Sequence, residues 1–97
     1  MGRKRTLEQI LELDFISIGE LALLTETELS KPYRQSTLKF YSELGILRFE
    51  QQEEGLNRRF HRVNSLARLA MIRELIAVKH FSIEDVVTFF KKEDDKK

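Results

Sequence analysis

Cysteine is absent from the 97 residues, and so is tryptophan. Without thiols the chain can form no disulfide framework, no thiolate zinc site and no cysteine nucleophile. Proline occurs once and glycine four times, so each is a position to weigh rather than background. Long apolar runs are missing as well, which predicts no membrane-spanning helix. No hydrophobic stretch follows Arg3-Lys4-Arg5, so no secretory signal is read and a cytoplasmic protein is expected. An excess of one charge sign is also lacking: 17 Lys and Arg balance 16 Asp and Glu, for a net +1. The global charge therefore names no polyanionic partner, and only its local distribution can. From Lys31 to Arg62 seven Lys and Arg outnumber four acids, a basic patch of the kind that polyanions select.

A chain of this length can bury one modest core. Its organising stretch runs from Arg34 to Leu47. Leu38, Tyr41 and Leu44 recur at three-residue spacing, with Phe40 flanking, and predict the buried face of a short helix. Arg34, Gln35, Ser36, Lys39 and Ser42 are left to point outward, and their donors suit phosphate oxygens and base edges. Gly45 ends the helix, because glycine takes a left-handed backbone without a Cβ clash.

Around that stretch the order of elements is readable. Thr6 caps a short helix carrying Leu7, Ile10 and Leu11, too short to stand without docking. Ahead of it Arg3, Lys4 and Arg5 form a frayed terminus or an arm along DNA. Ser17-Ile18-Gly19-Glu20 is a capping box opening a helix of about two turns through Leu24. Thr25 to Pro32 interrupts it, and Pro32 places the next start at or just after itself. Ile46 to Phe49 and Asn57 to His61 predict a two-stranded hairpin over a polar Glu50–Gly55 loop, with Arg58 and Arg59 exposed on the return strand. Asn64 or Ser65 caps a helix from Leu66 to about Lys79, with Arg68 and Arg73 outward. His80-Phe81 makes a corner. Ser82 to Asp85 caps a last helix through about Lys91, and residues 93–97 read as a disordered charged tail. The domain plan is a basic segment or short helix over 1–15, a folded unit over 16–92 and that tail. The fold class is mainly α, a winged helix-turn-helix of four helices and a two-stranded wing, with the short N-terminal helix as an addition.

Five segments in this order resemble the DNA-binding domain of the MerR family: Ile18-Gly19-Glu20-Leu21-Ala22, Ser36-Thr37-Leu38-Lys39-Phe40-Tyr41, Glu43-Leu44-Gly45-Ile46-Leu47, Arg58-Arg59-Phe60, and Phe81-Ser82-Ile83-Glu84-Asp85-Val86. The resemblance implies a sequence-specific double-stranded DNA binder, a transcriptional regulator with helix 34–44 in the major groove and wing 47–61 on the backbone. It implies recognition-helix contacts from Arg34, Gln35, Ser36, Thr37 and Lys39, a phosphate contact from Tyr41, and wing contacts from Arg58 and Arg59.

Departures accompany it. Thr25–Pro32 is about six residues longer than the family's turn, Asn57 stands where the wing usually has tyrosine, and His80 replaces a glycine. The long C-terminal coiled-coil helix has no counterpart, so a homodimer or partner protein would depend on a coiled coil removed from this chain. Two other readings use the same features: an excisionase-like or architectural DNA-binding protein, and a protein-interaction module built on the winged fold. An enzyme is not expected. His61 and His80 lie apart with no metal-ligand spacing, and no catalytic, metal, cofactor or small-molecule constellation is visible.

Overall fold

The computed structural model describes residues 6–29, 31–51 and 58–95. The basic arm at residues 3–5, most of the expected wing loop with Asn57, and the last two residues lie outside these. The fold is a winged helix-turn-helix: α1 (Leu7–Leu11), β1 (Phe15–Ile16), α2 (Ile18–Glu28), α3 (Gln35–Glu43), β2 (Phe49–Gln51), β3 (Arg58–His61), α4 (Arg62–Ala77) and α5 (Ile83–Asp95).

Side-chain caps set the helix starts. Thr6 and Gln9 form a capping box on α1, and Ser17 and Glu20 form the expected one on α2. Ser82 and Asp85 exchange equivalent bonds before α5. Each box satisfies backbone donors that the first helical turn leaves open. Docking of α1 is by Ile10, which is fully buried in the common core.

Gly45 ends α3 with φ +85°. The Gly45 N–H donates to Ser42 O and the Ile46 N–H to Tyr41 O, the paired bonds of a Schellman stop. The chain then drops Ile46 and Leu47 into the core before any strand begins. The first wing strand accordingly starts at Phe49, later than the expected Ile46.

Other expectations are revised too. The sheet has three strands, in the order β1-β3-β2, because β1 pairs with β3 on the side away from β2. A two-residue strand leaves too little alternation to be read in sequence. The segment from Thr25 is not an interruption: α2 continues to Glu28, about one turn beyond Leu24. Buried Thr25 explains the tolerance, since its hydroxyl donates to Ala22 O and accepts the Tyr33 N–H at 2.9 Å. The extra length thus lengthens a helix and is tied back to the start of α3. The fourth helix opens at Arg62, four residues early, because His61 Nδ1 accepts the Asn64 N–H and caps it.

The charged tail is revised as well. Residues 93–95 continue α5, and Asp94 is held by Arg68, whose guanidinium also donates to Ile46 O and lies over the Phe90 ring. Arg68 is therefore not an outward residue of α4, as its place in the sequence suggests, but a tie among α4, α5 and the segment after α3.

His80 occupies the left-handed region at φ +58°. That conformation costs a residue with a Cβ roughly 1–2 kcal/mol relative to its ordinary region. His80→Gly is expected to stabilise the domain by about 1 kcal/mol, raising Tm by about 4–8 °C for a domain of this size. Thermal unfolding followed by circular dichroism measures it, and an unchanged or lowered Tm would contradict the strain at this corner.

Candidate nucleic-acid interface

The exposed and buried faces of α3 separate along its length. Leu38 and Tyr41 turn into the core, while Gln35, Ser36, Lys39, Phe40 and Glu43 are exposed. Arg34 occupies the N-cap position, and no side chain caps the helix. Backbone N–H groups of the first turn therefore stay open at an end that carries partial positive charge. Thr37 is half-buried in that turn. The Gln35 amide nitrogen lies close to Gly19, 3.5 Å from where a Cβ there would sit, so the start of α2 borders the start of α3.

Ser42 does not point outward. It is buried, its hydroxyl donates to Lys39 O, and its oxygen accepts from Arg58 Nη1 at 2.8 Å. Arg58 is correspondingly half-buried, with its guanidinium 4.7 Å from the centre of the Phe49 ring. One side chain thus clamps the wing to the helix. Burial of an arginine costs less when its planar cation is hydrogen-bonded and lies on an aromatic face. Arg59 faces the other side of the sheet, opposite Glu50 in the β2–β3 register. The two adjacent arginines consequently have different surroundings.

Tyr41 lies behind the exposed face. It is 8% exposed, packs edge-on against Tyr33, and has Arg73 nearby. Burial pushes its phenol above the usual value, Tyr33 adds to the effect, and Arg73 opposes it. The Tyr33 hydroxyl donates to Leu69 O while the Arg73 guanidinium covers the Tyr33 ring at 4.5 Å. This cluster sets the distance between α3 and α4, so Arg73, like Arg68, is drawn inward.

The structure therefore brings Arg34, Gln35, Ser36 and Lys39 to one end and face of α3 and sets Tyr41 at its back. Ser42, Phe49 and Tyr33 are positioning residues that the sequence did not disclose. Their partners are remote in the chain, and nothing in local spacing marks a serine that will receive an arginine 16 residues later.

Among the described residues no cluster of His, Cys, Asp and Glu could hold a metal ion. No helix among them is long and apolar enough to cross a membrane. No curated protein and no solved structure matches the chain. Residues 16–93 match the family described as MerR HTH family regulatory protein. That span takes in α2 through most of α5, including the helix, the wing and the clamp between them. With a helix-turn-helix, a wing and that match over most of its length, the chain belongs to the MerR helix-turn-helix family of DNA-binding transcription regulators.

Proposed function

We propose that the chain binds double-stranded DNA sequence-specifically, with α3 lying in the major groove and the β2–β3 wing against the flanking backbone. The observation that carries this reading is the bond from Arg58 to Ser42, which ties the wing to the helix so that both belong to one surface. A surface of this kind fixes register, since phosphate contacts orient the protein while base edges are read beside them.

Arg34, Gln35 and Ser36 reach base edges and the nearest phosphate from the N-terminal end of α3, where open N–H groups favour an anion. Thr37 supports that turn, and Lys39 serves the backbone or a guanine edge one turn on. Tyr41 acts from behind: its hydroxyl would reach a phosphate only at the flank of the helix, and its main service is to seat α3 on α4. Arg59 supplies a wing contact to phosphate. Arg58 has one guanidinium nitrogen committed to Ser42 and can offer the others to the backbone.

The test is fluorescence anisotropy on a random-sequence duplex across a salt series. Neutralising about five phosphates gives a log–log slope of about −4 to −5. Arg59→Ala is expected to reduce the slope by about one, and the Arg58→Ala/Arg59→Ala double variant by about two. Arg58→Ala alone should lower the slope by about one and weaken binding further by freeing the wing, an effect absent from Arg59→Ala. Failure of the wild-type chain to bind even at low salt would remove the DNA reading and leave a protein-interaction module in its place.

A further inference from the structure

On the outward face of α3 one residue does not fit a surface of hydrogen-bond donors. Phe40 is 48% exposed, with Gln35, Ser36, Lys39 and Glu43 as the other exposed residues of the helix. Its one ring contact among the described residues is to Tyr41, tilted at a centroid distance of 6.1 Å. Packing thus accounts for one side of the ring and leaves the rest in water, on the face proposed for the major groove.

We propose that Phe40 reads thymine, by apolar contact of its ring with the C5 methyl group. The inference rests on the major-groove reading and specifies one base for it. Elimination among contact types leads there. Contacts to a duplex are hydrogen bonds to phosphate or sugar, hydrogen bonds to base edges, or apolar contacts to base edges. A phenyl ring has neither donor nor acceptor, so the first two are closed to it. In the major groove the apolar feature that distinguishes one base pair from the others is the thymine methyl. Position supports the same conclusion: Ser36, four residues earlier, shares the helix edge with Phe40, so the ring sits one turn along the groove from the proposed base-reading end. Burying the ring against a methyl group also removes apolar surface that the free protein leaves hydrated.

The experiment uses one random-sequence duplex pool prepared twice, once with thymidine and once with deoxyuridine, which differs only by loss of the methyl. Affinity of the full chain for each pool is measured by anisotropy at several salt concentrations. Wild type is expected to bind the thymidine pool about two-fold more tightly, because one buried methyl-sized group is worth about four-fold and thymine stands at the contacted position in roughly one register in four. Phe40→Ala is expected to bind both pools equally, near the wild-type affinity for the deoxyuridine pool. Phe40→Leu, which keeps an apolar side chain, should retain part of the preference. Salt slopes should be the same for all three proteins, because no charge changes.

Equal wild-type affinity for the two pools with a steep salt slope would overturn the thymine contact alone and leave DNA binding standing. A preference that persists in Phe40→Ala would also overturn it, placing methyl recognition elsewhere on the surface. Absence of salt-dependent binding by wild type would overturn the contact and the groove reading together. Circular dichroism of Phe40→Ala, expected to match wild type for so exposed a side chain, separates loss of contact from loss of fold.

Discussion

Phe60→Ala is expected to destabilise the domain by about 3–5 kcal/mol, a shift in Tm on the order of 15–30 °C. Phe60 is fully buried on the central strand of the sheet. It pairs across β3 with Ile16 on one side and Phe49 on the other, and its ring lies 5.9 Å from that of Phe49. Removing the ring takes away its transfer free energy and leaves a cavity bounded by three strands, which cannot close without breaking their register. A domain of about a hundred residues has roughly 5–15 kcal/mol in all, so a large part of the margin would go. Urea unfolding should show the midpoint falling steeply. Phe60→Leu should recover most of the loss, because it refills much of the volume. DNA binding would fall with it, and the mark of an indirect effect is that affinity per folded molecule stays near wild type at low temperature. A Phe60→Ala protein as stable as wild type would mean that the wing is not packed on this core.

Arg68→Ala is expected to cost about 2–4 kcal/mol. Its side chain is 13% exposed and holds three partners at once: the Asp94 carboxylate, the Ile46 carbonyl at 3.2 Å and the Phe90 ring at 4.6 Å. Truncation frees the backbone acceptor and leaves Asp94, among the described residues, with Arg48, 3.4 Å away and 55% exposed, a pair that water screens. The same contact makes a pH prediction. The hydrogen bond from Arg68 holds the Asp94 carboxyl below its ordinary value, partial burial opposes this, and the charges of Arg68 and Arg48 reinforce it. A depressed folded-state pKa means that the unfolded chain takes up the proton first. The stabilisation is therefore complete above the unfolded value of about 3.9 and is lost as pH falls through the folded one. Urea midpoints for wild type and Asp94→Asn should differ from pH 5 to 7 and converge toward pH 2. A difference that does not change over that range would show that the charge of Asp94 contributes nothing.

How much of this was legible beforehand depends on the range of each interaction. Capping boxes at Ser17 and Ser82 and the stop at Gly45 were readable because donor, acceptor and backbone preference lie within three or four residues. Leu38 and Tyr41 on the inner face of α3 were readable for the same reason, since helical period alone assigns them. His80 stood out by replacing a glycine, and its positive φ shows why glycine suits that corner. By contrast, helical spacing made Arg68 and Arg73 look outward and the adjacent Arg59 made Arg58 look exposed, yet all three are drawn inward onto the rings of Phe90, Tyr33 and Phe49. A long side chain can satisfy burial with a carbonyl, a hydroxyl or a ring from a distant element, and local periodicity carries no information about that partner.

The sequence by itself determined the succession of helices, the place where α3 stops, the existence of a wing after it and the family to which the whole belongs. These rest on local backbone chemistry and on the order of short segments. Only the tertiary structure decided that Phe15-Ile16 completes the sheet, that Thr25 ties a longer α2 to Tyr33, that Asp94 is held rather than loose, and that Arg58 binds the wing to α3 through Ser42. The physical reason is common to all four. Each depends on a hydrogen bond or ion pair between residues far enough apart in the chain that their meeting is set by the packed core, not by the residues between them.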